Sequence, residues 1–188
     1  MMNDQTFARS RLCEVLADLP SGSAPVEYVG EGLRKGGRDG VAVEFLPGSP
    51  DQRWTGVFAR GDLALRAQSG IVVLPDQRVL VVARGTGYVV APARRSPPTV
   101  IGPNPIVDLL VVQHARLVLV ADPWSVSALG DHGLAWATGR IALDGLLLKG
   151  ASGGQAFGEV HVAGDESRPF SIDLASGECT GAERLTDR

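Results

Sequence analysis

Short apolar runs, broken by turn-forming residues at nearly regular intervals, constrain this chain more than any other feature. Val26–Val29, Trp54–Ala59, Ile71–Leu74, Val79–Ala83, Tyr88–Ala91, Ile106–Val112 and Leu117–Ala121 follow one another, each of strand length. Val126–Leu129, Leu134–Ala137, Arg140–Leu143, Leu146–Lys149, Gln155–Val162 and Pro169–Leu174 continue the series. The 24 Gly and 12 Pro of the 188 residues supply many of the turns between them. In Val41–Phe45, the apolar Val41, Val43 and Phe45 alternate with Ala42 and Glu44, which gives one buried and one wetter face. The β-branched runs between Ile71 and Ala91 lack alternation and predict strands covered on both faces. No space remains for repeated crossover helices, so a doubly wound fold is disfavoured. Strands at this spacing predict an all-β fold, mainly an antiparallel meander, built as a sandwich, a barrel or propeller-like blades. Asp144-Gly145 between two runs is the strongest hairpin signal, because a type I′ turn needs positive φ at both central residues.

One segment departs from this pattern. Leu12, Val15, Leu16 and Leu19 fall at i, i+3, i+4 and i+7, which predicts one N-terminal α-helix within residues 1–22. Asn3 or Asp4 would cap it, and Pro20-Ser21-Gly22 would end it. The chain reads as a single domain over residues 1–188. After the helix come a first β part over 26–91, a Pro-rich loop over 92–105, a second β part over 106–177 and a tail over 178–188. The loop holds five of the twelve prolines.

Charge and cysteine usage exclude several functions. The net charge is −3, from 18 basic and 21 acidic residues, with no basic stripe, which argues against a nucleic-acid binder. No apolar run approaches the ~20 residues of a transmembrane helix, so no membrane association is expected. Asp4, Arg9, Arg11, Glu14 and Asp18 interrupt any apolar stretch a secretory signal would need, and the expected compartment is the cytoplasm. There, Cys13 and Cys179 read as two independent thiols, with a bridge between them as the alternative. Neither has a Cys or His at ligand spacing, and His114, His132 and His161 are not paired with one another. No metal site and no cofactor are therefore expected.

Two motifs match only in letters. Gly85-Thr86-Gly87 follows a strand but lacks the third glycine and the helix of a dinucleotide fingerprint. Gly150-Ala151-Ser152-Gly153-Gly154 spells G-x-S-x-G, yet the chain continues as another strand, and a Gly-rich hairpin explains the same letters.

The remaining candidates sit in connections. Asp122, Asp131, His132 and Arg140 would form an acid/base cluster beside Trp124 if their loops met at one end of the sheet. The competing reading makes Asp122-Pro123 and Asp131-His132 ordinary turns. Trp124, His132, Arg94 and Arg95 are the candidate binding residues: Trp124 as the tryptophan placed in a connection, the arginines as a grip for an acidic partner. Trp54 and Trp136 read as core or sheet-capping residues.

From about Ile71 onward, Gly87-Tyr88-Val89-Val90, the strand pair Asp108–Leu119, Gly133-Leu134-Ala135-Trp136, Arg140–Leu146 and Pro169–Gly177 stand out together. In these residues the chain resembles a bacterial family of small β-rich proteins with similar sequences in plants, whose role is not established. That family's pattern reads G-L-x-W, then R-L-S-W-D-G-L, then P-F-x-V-D-L-x-T-G. Ala142 and Leu143 replace the usual Ser-Trp, and Glu159-Val160-His161 stands where a Gly-Trp-Asp-like step is usual. The resemblance implies a mostly antiparallel β fold and carries no activity or site residue. The functional expectation is a non-enzymatic protein-binding or accessory module. The alternative is a small-ligand enzyme or hydrolase using Asp122, Asp131, His132 and Arg140.

Overall fold

The computed structural model describes residues 12–19, 25–33, 39–61, 69–93, 96–102, 105–143, 145–162 and 166–182. They form an all-β protein of four four-stranded sheets. The chain divides into two compact units, residues 1–73 with 77–104, and residues 74–76 with 105–188.

The first unit holds β1 (Cys13–Leu16), β2 (Val26–Val29), β3 (Gly40–Phe45), β4 (Trp54–Ala59), β5 (Gly70–Val73), β6 (Val79–Ala83), β7 (Thr86–Val90) and β8 (Thr99–Ile101). Its first sheet has the order β1-β3-β4-β2, with β2 running parallel to β4. Its second, β5-β6-β7-β8, is an antiparallel meander. Cys13, Val43, Phe45, Trp54 and Phe58 of the first sheet share one core with Ile71, Val79, Val81, Tyr88 and Val90 of the second. Phe45 stacks on Trp54 at 4.4 Å between ring centroids. The indole N–H of Trp54 donates to Pro92 O at 3.2 Å, so this tryptophan is a core residue with its polar atom satisfied.

The second unit holds β9 (Asp108–Val112), β10 (Leu117–Ala121), β11 (Val126–Gly130), β12 (Gly133–Ala137), β13 (Leu146–Ser152), β14 (Gln155–His161), β15 (Ser167–Asp173) and β16 (Cys179–Thr180). Both of its sheets, β9 to β12 and β13 to β16, are antiparallel meanders. Leu119, Ala121, Val126 and Ala128 of one pack with Leu146, Val160, Phe170 and Ile172 of the other. Buried Asp108 ties β9 to β13: its carboxylate accepts from Leu109 N at 2.9 Å and from Leu148 N at 2.8 Å.

The expected N-terminal helix is corrected. Cys13–Leu16 forms β1 and pairs with β3 in the register Cys13↔Phe45 and Val15↔Val43. Four residues fit helical and extended periodicity equally well, and cross-strand pairing that buries Cys13 completely decides for the strand. Residues 1–11 and 20–22 of that expectation lie outside the described residues. Arg140–Leu143 is likewise not a strand. Its amides turn aside to loop carbonyls, Ile141 N and Ala142 N both donating to Trp124 O. Gly145 N donates to Pro123 O, so the segment before β13 is stitched to a distant loop rather than folded into a hairpin; Asp144 itself lies outside the described residues. Within the stretch read as a Pro-rich loop, Thr99–Ile101 forms the edge strand β8.

The two letter-matched motifs are hairpins. Arg84 and Gly85 link β6 to β7 with φ of 45° and 91°, and Thr86 and Gly87 already belong to β7. Ser152 ends β13, and Gly153-Gly154 turns the chain into β14.

Candidate functional site

In the second unit, the connection from β10 to β11 is Asp122-Pro123-Trp124-Ser125. Asp122 is 7% exposed, and its carboxylate organises the turn. One oxygen accepts from Trp124 N at 2.6 Å and from Ser125 N, and the other accepts from the Ser125 hydroxyl at 2.8 Å. This is the Asx-turn arrangement that an Asp-Pro start favours. The turn is fixed from the far side as well. Trp124 O accepts from Ile141 N at 2.8 Å, and Pro123 O from Gly145 N at 3.0 Å.

Held on this frame, the Trp124 side chain is 41% exposed. Arg140 lies over its ring with the guanidinium carbon 6.0 Å from the centroid, at the outer limit of a cation–π contact. The guanidinium is anchored to carbonyls, Nε to Ala142 O and Nη2 to Leu143 O, each at 3.2 Å. Among the described residues it has no carboxylate partner. His161 joins the same backbone network, with its N–H on Gly145 O and its carbonyl accepting from Leu143 N. Its ring Nδ1 lies 3.3 Å from the Ser167 hydroxyl.

The other expected residues stand elsewhere. Asp131 and His132 form the turn between β11 and β12, with Gly133 at φ 101° completing it. Ala121↔Val126 marks one end of the β10–β11 ladder, and Asp131 follows Gly130 at the other. Four strand steps separate these ends, about 14 Å. Asp122 and Asp131 therefore do not meet, and the acid/base cluster of Asp122, Asp131, His132 and Arg140 does not assemble. Asp131 instead takes a two-pronged contact from Arg116, whose Nε donates at 2.8 Å and whose Nη2 donates to the second oxygen. The hydrogen bond from Arg116 holds the Asp131 carboxyl below its usual value. His132 is exposed at this opposite end. Arg94 and Arg95 lie outside the described residues.

Trp136, on edge strand β12, is structural. Its indole N–H donates to Leu174 O at 2.8 Å, and its ring covers Gly177 so closely that a Cβ there would lie 2.8 Å from it. Gly177 has φ 75°, which glycine adopts without strain. The segments Gly133–Trp136 and Pro169–Gly177 thus meet in space.

No family model matches this chain, and no curated protein matches it significantly. Among the described residues, no helix is long and apolar enough to cross a membrane.

Sequence reasoning missed two features here. His161 reaches the corner through backbone pairing between β14 and a loop, and Arg116 meets Asp131 across two turns. Neither contact leaves a local signal. The placement of Trp124 in an Asp-Pro turn was the signal that did point to the corner.

Proposed function

We propose that this chain is a non-enzymatic, cytoplasmic protein-binding module and that the Trp124–Arg140 corner is where it meets its partner. The observation that carries this reading is the exposed indole of Trp124 on a turn that Asp122 has already ordered. Trp and Arg are the side chains most enriched among residues that dominate interface energetics. A pre-ordered turn also reduces the entropy lost on association. Arg140 offers a positive charge that no carboxylate of the described residues neutralises, so the matching partner segment carries an Asp or Glu beside an apolar side chain. The non-enzymatic part of the reading is supported by the use of Asp122 as a turn-former and of Asp131 as an ion-pair partner. Contact between Trp136 and Gly177 supports kinship with the resembling bacterial family, since its motifs then serve one packing unit.

The test is isolation from the native host at native abundance, followed by light scattering on the eluted species. The intact chain is expected in a complex with a second protein, and Trp124→Ala is expected alone. Recovery of both as monomers, or of both in the same complex, overturns the proposal.

A further inference from the structure

The first unit contains a cleft of about 550 Å³, within the range of small-molecule sites. Its apolar lining comes from Leu16 on β1, Val41 on β3 and Val57 on β4. Arg60, Ser69 and Arg84 supply polar groups. Arg60 follows β4, and Arg84 opens the β6–β7 turn, so two different sheets bring the two arginines to one cavity. Gly61 makes this approach possible. Its N–H donates to Ala83 O at 2.9 Å, and a Cβ on it would lie 2.1 Å from the Thr86 hydroxyl.

Arg84 occupies the left-handed region at φ 45°, a conformation in which glycine or asparagine is the ordinary choice. Its backbone N–H is held by the Ser69 hydroxyl at 2.9 Å. Among the described residues, the Arg60 guanidinium makes one long contact, Nη2 to Gly40 O at 3.5 Å. Among the described residues, neither guanidinium has a carboxylate partner. Asp18 also lines the cleft.

We propose that this cleft binds a small organic monoanion, a carboxylic acid with an apolar body. The carboxylate takes charge-assisted hydrogen bonds from Arg60 and Arg84. The apolar body lies on Leu16, Val41 and Val57. The cleft shares no lining residue with the Trp124 corner, so either site stands if the other fails.

The probe is sodium octanoate, titrated into the full-length, isotope-labelled chain and followed by amide chemical shifts. Octanol is the neutral counterpart. Saturable shifts are expected at Val41, Ala42, Val57 and Arg84, with octanol at least about tenfold weaker. Arg84→Gly removes the guanidinium while relaxing the positive-φ turn, and it is expected to weaken octanoate at least about fivefold. Arg60→Gln is expected to do the same. Equal binding of octanoate and octanol, shifts confined to other surfaces, absence of saturation at millimolar octanoate, or undiminished affinity in Arg84→Gly would each overturn the proposal.

Discussion

Asp108 offers a perturbation whose size follows from the structure. It is 5% exposed, and its carboxylate receives the buried N–H groups of Leu109 and Leu148. The second of these bonds joins β9 to β13, so it belongs to the packing of two sheets within one unit. Removing the side chain leaves two buried donors unpaired, at about 1–3 kcal/mol each, partly offset because a buried charge also disappears. Asp108→Ala should therefore cost about 2–4 kcal/mol of second-unit stability. Asp108→Asn keeps one acceptor but turns an amide N–H toward the other donor, and should cost about 1–2 kcal/mol. Burial raises the Asp108 carboxyl above its ordinary 3.8, while the two backbone hydrogen bonds pull the other way. Its sign is fixed by linkage. A raised folded-state value means that the protonated form favours the fold, so this stability is complete below the unfolded value and is lost as pH rises through the raised one. Urea unfolding of the intact protein and of Asp108→Asn across the acid range, with Leu148 amide exchange as a local readout, measures both effects. The advantage of the intact protein should be largest below about pH 4 and shrink toward neutrality. A gap that widens with pH, or an unprotected Leu148 amide in the intact protein, would show that Asp108 does not hold β9 to β13 in this way.

Three further outcomes follow from other contacts. Thr55 Oγ1 is buried without a hydrogen-bond partner among the described residues, so Thr55→Val should be neutral or stabilise by up to about 1 kcal/mol in urea unfolding. Gly177→Ala meets both the Trp136 ring and a positive φ, and should lower stability by about 1–3 kcal/mol with a shifted Trp136 indole resonance. Asp122→Ala frees the Trp124 turn; it should cost about 1–2 kcal/mol and weaken partner binding even though Trp124 itself is intact.

Much of the strand pattern is legible in the residues, and the reason is local. Val26–Val29, Trp54–Ala59, Val79–Ala83 and Leu117–Ala121 are β-branched or aromatic runs bounded by turn formers, and they form strands with those same bounds. Where the outcome depends on a distant partner, the local pattern misleads. Leu12, Val15 and Leu16 satisfy a helical period, yet pairing with β3 and burial of Cys13 draw Val15 and Leu16 into a sheet. Arg140–Leu143 has the composition of a strand, but carbonyls at Trp124 capture its amides. The same distinction governs the candidate site. Asp122 as a turn-former is visible in Asp-Pro, because the groups it binds lie within three residues. The separation of Asp122 from Asp131 follows from strand register, and the approach of Arg60 to the Arg84 turn depends on Gly61 fitting against Thr86. Neither is written in any single stretch of the chain.

The proposed place of partner recognition is the tryptophan corner of the second unit. Its most direct test is photo-crosslinking in the native host, with a benzophenone amino acid placed in one sample at position 139, exposed beside Arg140 with open space for a side chain, and in another at position 132. One discrete crosslinked protein is expected from position 139 and none from position 132, at the opposite end of the β10–β11 ladder. Equal adducts from both positions, or an adduct from position 132 alone, would contradict that placement.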